Sequence, residues 1–431
     1  MSQGPFISNS RRHRRPRWPL MLLIVLVLGA LAAGGAYLIL GKSPDDVSNE
    51  DVEFQDDEKQ EEVSKKPVFA WPTLGYTPTR TRYLNRELQY PLTRSWSFGG
   101  SVLIEFPPVL ADRRLFFVKN NGEAYSLSAP SGRVLWRKRI GRLGAASPTW
   151  HKGRVYLTSL DPGQVLSMDA KTARVRWRKR LPSRSESSPL VVGNRVFLGS
   201  EDGTVYALNA KSGRTLWTYK AAGAVKSALA YSGGKLYFGD YGDQFQAIRA
   251  KTGKKIWSKG GIGRSLGRGG RFYSSPAIAF GRVYVGNYDG RVYSFSAGSG
   301  EIAWTRETGG YVLGGPAVAN VPGTRPTVYI GSSSGRFFAM DARTGRTRWS
   351  KEFGGRILGS ASVIEDVVYF SNIDKKSTLG LSAKDGRRRF SFGRGGYTPV
   401  ISDGRRLFLT GYSSVYAFEG KEVRTAKRKS R

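Results

Sequence analysis

The sequence predicts an all-β fold, an eight-bladed β-propeller of four-stranded antiparallel blades, and three observations predict it. The first is a recurring phrase. "SLSAPSGRVLW" ends at Trp136, "SMDAKTARVRW" at Trp177, "ALNAKSGRTLW" at Trp217 and "AIRAKTGKKIW" at Trp257. "SFSAGSGEIAW" ends at Trp304, "AMDARTGRTRW" at Trp349 and "GLSAKDGRRRF" at Phe390, while Trp96 stands forty residues before Trp136. Spacings of 40 to 47 residues mark a repeated structural unit.

The second observation is the pattern inside a unit. In "SSPAIAFGRVYVGNYDGRVYSFSAGSGEIAWTRE" the breaks "FGR", "YDG" and "GSG" separate four short runs rich in Val, Ile, Tyr and Trp. Asp-Gly between alternating hydrophobics is a sharp hairpin signal, because the turn needs positive φ. One small sheet cannot bury both faces, whereas copies stacked around an axis can. The third observation closes the ring. After Phe390 the chain has three strands left, and "TRSWSFGG" at 93–100 supplies a fourth. Their pairing makes eight blades and leaves no open edge in the ring; without it the count is seven.

The remaining segments follow in order. Residues 1–18 form a basic tail, "RRHRRPRW" included. Residues 19–40 carry no charge, enough for a transmembrane helix across a hydrocarbon core of roughly 30 Å. Arginines before the span and acidic residues after it orient the N-terminus to the cytoplasm. A cleaved signal peptide with its site at "ALA" is the rival, but the apolar run continues to Leu40. Residues 41–66, with ten acidic residues, read as a disordered linker. Residues 67–92 are too aromatic for a linker and are expected to pack on the domain. The propeller covers 93–420, and 421–431 is a second basic tail.

Within a blade, Gly132, Gly213, Gly253, Gly300, Gly345 and Gly386 permit the turn into the outer strand. The aromatic four residues later offers a flat face to the neighbouring blade. Trp96, Trp136, Trp177, Trp217, Trp257, Trp304, Trp349 and Phe390 are therefore the expected docking residues. Each buries roughly 150–250 Å², or several kcal/mol at about 25 cal/mol per Å². Ala173 in place of the glycine and Phe390 in place of the tryptophan predict the weakest contacts.

Composition excludes several chemistries. No cysteine means no disulfide, no thiolate metal site and no cysteine nucleophile. Of the two histidines, His13 lies in the tail, and nothing around His151 suggests a catalytic triad. The net charge of +36 is concentrated outside the acidic linker, so the domain is strongly basic. Such a field attracts polyanions, although a basic surface can also serve solvation alone.

Ala207, Asn209, Ser212, Gly213 and Trp217, and more fully Ala339, Asp341, Thr344, Gly345 and Trp349, match a known repeat. Over 93–420 the sequence resembles the PQQ-repeat, quinoprotein-type β-propeller family. The resemblance implies one of two functional groups. Dehydrogenases of the family bind pyrroloquinoline quinone with calcium, many using a cysteine pair that this chain lacks, and they carry longer loops. The non-catalytic branch resembles BamB-type scaffolds, eight-bladed propellers that offer their loops to partner proteins. Their lipoprotein anchor needs a cysteine, which is missing here, so the specific assembly role does not carry over.

Candidate contact residues lie in the loops. "SKGGIGRSLGRGGRFY" at 258–273 contains Arg264, Arg268, Arg271 and Tyr273; a phosphate cradle would need a following helix, and a strand follows. Lys226 begins an inner strand near the predicted channel mouth, where it either faces the axis or is an ordinary loop lysine. Asp240 and Asp243 fall in a hairpin.

The expected function is non-enzymatic binding or scaffolding by a membrane-anchored propeller outside the cytoplasmic membrane. Its partner would be an envelope protein or an anionic envelope polymer, with residues 19–40 in the membrane. No catalytic residue, metal or cofactor is expected. A dehydrogenase using pyrroloquinoline quinone and calcium, and a polyanion or nucleic-acid binder, are the alternatives; the predicted topology argues against nucleic acid.

Overall fold

The computed structural model describes residues 25–29, 45–56, 70–263, 270–397 and 400–420. Eight four-stranded antiparallel blades follow one another along the chain, and Tyr83–Leu84 adds a parallel fifth strand beside the inner strand of the seventh. Blades 1 to 7 span 109–139, 149–180, 190–220, 230–260, 277–307, 317–352 and 362–392. Each begins with a short inner strand, such as Ala277–Ala279, and ends with an outer strand, such as Ile302–Glu307. Blade 8 takes three strands from 401–420 and its outer strand, Leu92–Phe98, from the front of the domain. Leu92 faces Gly420 and Phe98 faces Val415 in antiparallel register. Eight blades are therefore correct, and the seven-blade alternative falls.

Period-two strands and a 40-residue repeat place the core between blades. Inner and middle strands are almost wholly buried, as in Val283, Tyr284 and Val285, while outer strands are largely exposed. Aromatic rings fill the blade interfaces, with Phe245 stacked on Phe295 at 5.2 Å.

The tryptophans dock as expected, with an added hydrogen bond. Trp96 donates from Nε1 to the Ala129 carbonyl, Trp136 to Ala170, Trp177 to Ala210, Trp304 to Ala342 and Trp349 to Ala383. Phe390 differs for a physical reason. Its benzyl ring has no N–H to donate, and the turn it would meet is absent because blade 8 joins strands from the two ends of the domain. Phe390 instead meets Phe418 edge-on at 5.4 Å. Ala173 takes the glycine's left-handed conformation at φ 58°, and Trp136 keeps its bond to Ala170.

Two segments before the propeller bind it. Residues 70–84 run across one end of the axis. Their backbone pairs with inner strands of six blades, at Leu110, Trp150, Tyr231, Ile278, Val318 and Val363. Arg80 and Arg82 are fully buried there at φ 58° and 57°, bonded to backbone carbonyls that include Leu229, Leu74 and Pro316. Burial lowers both guanidinium groups to about 9, with the Arg82 charge adding to the effect on Arg80.

The second segment corrects the reading of 41–66 as a disordered linker over 45–56 alone; 41–44 and 57–66 lie outside the described residues. Its described part, 45–56, lies along the outer edge of blade 5, where Ser48 bridges Trp304 in antiparallel register. Asp46 pairs with Arg291, and Arg282 bonds the carbonyls of Val52 and Glu53. Charge neutralisation and backbone pairing at an open sheet edge supply what the low apolar content lacks. Trp304 is covered to 0 % exposure.

The expected transmembrane span falls mostly outside the described residues. Within it, 25–29 form a helical turn with exposed apolar side chains. Among the described residues no helix is long and apolar enough to cross a membrane.

Candidate functional site

Strand alternation gives the ring two distinct faces. The turns between second and third strands and the connections between blades leave from one side, here the loop face. Residues 70–84 plug the axis toward the other side. The axial cavity between plug and loop face has a volume of about 180 Å³. Leu74 of the plug lines it, together with Ser188, Ser227, Ser275 and Ser360 from the blade connections. Gly315 is required there, because a β-carbon would strike Arg82 Nη2 at 2.3 Å.

Lys226 lines this cavity. Its ammonium reaches Glu186 at 2.7 Å and Glu201 at 3.1 Å, and lies 5.6 Å from the Tyr241 ring centre. Burial pushes the Glu186 carboxyl up, against the pull of Lys226, whereas Lys226 and other neighbours bring Glu201 down despite its own desolvation. Tyr273 also lines the cavity, and burial followed by the Glu186 charge raises its phenol. Glu105 joins the wall. The cavity is thus acidic inside a basic protein, with its lysine already held by two carboxylates.

Arg271 sits outside the cavity, on the loop face. Its guanidinium lies 5.4 Å from the Tyr241 ring centre and 5.9 Å from that of Tyr288. Tyr288 stacks on Tyr311 at 4.8 Å with the rings 7° apart. Tyr311 bonds Arg356, which pairs with Asp374 at 2.7 Å. The backbone fixes this row: the Arg271 amide donates to Asn287 Oδ1 and the Tyr288 amide to the Arg271 carbonyl. A ladder of arginine and tyrosine so runs across blades 4 to 7, with Tyr288 44 % exposed.

Arg264 and Arg268 lie outside the described residues. Asp240 and Asp243 are structural: Asp240 accepts from the Gly242 and Gln244 amides of its own turn, and Asp243 accepts from Asn287 at 3.1 Å. His151 ends the inner strand Thr149–His151 next to Gly193, half-buried, with burial lowering its imidazole. Among the described residues, no group of three or more His, Asp or Glu is arranged to hold a metal.

Sequence reasoning missed Glu186, Glu201, Tyr241, Tyr288 and Tyr311. One signal could have found the first. Glu186 precedes Lys226 by 40 residues, one repeat, so the two occupy equivalent positions in adjacent blades. The tyrosines are scattered over turns and connections, and only the ring brings them into line.

The comparisons with known proteins agree with this architecture. No curated protein matches the chain in sequence. Among solved structures, BamB from Moraxella catarrhalis is 17 % identical, with a TM-score of 0.64, covering 77 % of this chain and 98 % of that one. A quinohemoprotein alcohol dehydrogenase from Pseudomonas putida is 14 % identical, with a TM-score of 0.66 and coverage of 82 % and 80 %. A europium-containing methanol dehydrogenase is 12 % identical, with a TM-score of 0.70 and coverage of 83 % and 99 %. At such identities the likeness concerns the fold alone. A family model described as outer membrane protein assembly factor BamB matches residues 90–162, 120–321 and 314–429. That match runs through all eight blades, and the chain belongs to this PQQ-repeat, BamB-like propeller family.

Proposed function

We propose that the chain is a non-enzymatic binding propeller, anchored through 19–40 and displayed outside the cytoplasmic membrane. Its loop face holds an envelope protein or an anionic envelope polymer. The observation that carries this reading is the arginine–tyrosine ladder from Tyr241 through Arg271, Tyr288 and Tyr311 to Arg356. Tyrosine and arginine are, with tryptophan, the residues enriched at binding hot spots, and a row fixed by backbone bonds loses little entropy on contact. The uncharged span after a cluster of arginines supports the anchor and its orientation.

The chemistry of the cavity supports the non-enzymatic half. Pyrroloquinoline quinone is a tricarboxylate, and Glu105 and Glu186 would face it while Lys226 is already neutralised by Glu186 and Glu201. The residues present do not fit that cofactor, and no step is derived through it.

A photo-crosslinking residue at position 288, compared with one at Leu216 on the outer strand of blade 3, tests the reading in intact cells. Adducts from 288 alone are expected; equal yields from both positions would refute a loop-face site.

A further inference from the structure

Blade 5 shows how this chain accepts an acidic strand at an open edge. The Asn49 amide donates to the Ala303 carbonyl at 2.7 Å, and the Thr305 amide donates to the Val47 carbonyl at 3.0 Å. Asp46 lies over the far end of the strand. Its carboxylate takes Arg291, the Thr305 hydroxyl at 3.2 Å and the Glu307 amide at 3.2 Å. Backbone bonds provide the pairing, and a cation and two further donors select an acidic residue.

The same edge recurs in blade 2 with different side chains. With Trp304 aligned on Trp177, positions 303, 305 and 307 become Arg176, Arg178 and Arg180. Both outer strands carry the same register shift just before the tryptophan, so their local geometry agrees. The three arginines are exposed and alternate with the half-buried or buried Trp177 and Lys179, which puts them on one side of the strand. Arg176 pairs with Asp169 at 2.6 Å. Arg178 and Arg180 have no carboxylate partner among the described residues, and no fifth strand lies beside Val175–Arg180.

Open edges are commonly blunted by charge. Here the charge has one sign, so it repels a basic strand, including the other blades of this protein, and favours an acidic one. We propose that the outer strand of blade 2 is a docking edge for an acidic, extended segment of a partner protein. The segment adds as an antiparallel fifth strand and sets carboxylates at alternate positions against Arg178 and Arg180. This contact is separate from the loop face and stands or falls without it.

The probe is a labelled peptide with the sequence of residues 45–56, added to the full-length protein and followed by fluorescence anisotropy. Saturable binding is expected, weakened roughly tenfold or more by Arg178→Glu with Arg180→Glu. Arg178→Lys with Arg180→Lys should retain most of it, with thermal melting unchanged in both variants. N-methylation of alternate peptide amides keeps the charge but blocks strand pairing, and should abolish binding. Absence of binding, or binding indifferent to the glutamate variant, overturns the proposal. Equal binding of the N-methylated peptide overturns it too, because the edge would then be a plain polyanion surface. A protein dimer that dissociates in the glutamate variant would make a second copy the occupant and overturn the assignment to a partner.

Discussion

Gly213 lies against the face of Trp177, so close that a β-carbon on it would stand 2.7 Å from Cε3 of the indole. The same indole donates to the Ala210 carbonyl at 2.9 Å. Gly132 meets Trp96, Gly253 meets Trp217, Gly300 meets Trp257, Gly345 meets Trp304 and Gly386 meets Trp349 in the same way. The repeat's alanine, glycine and tryptophan thus form one joint, with the tryptophan of one blade seated on the turn of the next.

Gly213→Ala should be costly for two reasons, a φ of 75° and the clash with Trp177. A loss of about 2 kcal/mol is expected in urea unfolding. Gly193→Ala, at φ 58° with nothing within 4 Å, should lose only about 1 kcal/mol. Ala173→Gly relaxes a left-handed alanine and should gain up to about 1 kcal/mol.

Asn49→Pro removes the amide that binds the Ala303 carbonyl and tests the fifth strand of blade 5. A loss of about 1–2 kcal/mol is expected. Trp304 should become accessible to a collisional quencher, which it is not when covered by 45–56. Unchanged quenching would mean that the segment does not cover Trp304 in solution.

The pH dependence at blade 2 has a definite sign. Arg176, with the Thr172 amide and hydroxyl, holds the Asp169 carboxyl well below its ordinary 3.8. A carboxyl whose folded value is depressed stabilises the fold above the unfolded value and loses that contribution as pH falls through the folded one. Melting temperature should therefore fall as pH is lowered from 4 toward 2. Asp169→Asn should be less stable at neutral pH and show a smaller acid-induced loss.

Titration of the protein with pyrroloquinoline quinone and Ca²⁺ should leave absorbance and melting temperature unchanged, because the cavity wall carries Glu105 and Glu186 and its Lys226 is held by Glu186 and Glu201. Saturable binding with a raised melting temperature would overturn the scaffold reading and restore the dehydrogenase.

The blades were legible because their signals are local and repeated. Asp-Gly turns, period-two runs and a tryptophan every forty residues all point to one unit, and Trp96 indicated where the ring closes. The segments at 45–56 and 70–84 were not legible in the same way. The aromatic content of 67–92 predicted packing on the domain, but both segments pair largely through backbone amides and carbonyls, which every residue carries, so composition does not name their partners. The buried arginines Arg80 and Arg82 look like surface residues in sequence, and carbonyl partners such as Leu229 and Pro316 lie far off in the chain, just before the inner strands of other blades. At the cavity the limit was similar: Lys226 was visible as unusual, but its pairing with Glu201 depends on how two adjacent blades are seated.

Blade 8 also sets an order on synthesis. The strand Leu92–Phe98 leaves the ribosome first among the propeller strands, and its partner Val415–Gly420 leaves last. Seven blades can assemble while that first strand waits unpaired. A chain released early, before residue 401, would contain seven blades and no closing joint, exposing a strand edge to proteases and to other chains. Emergence of Val415–Gly420 and closure of the ring are therefore one event.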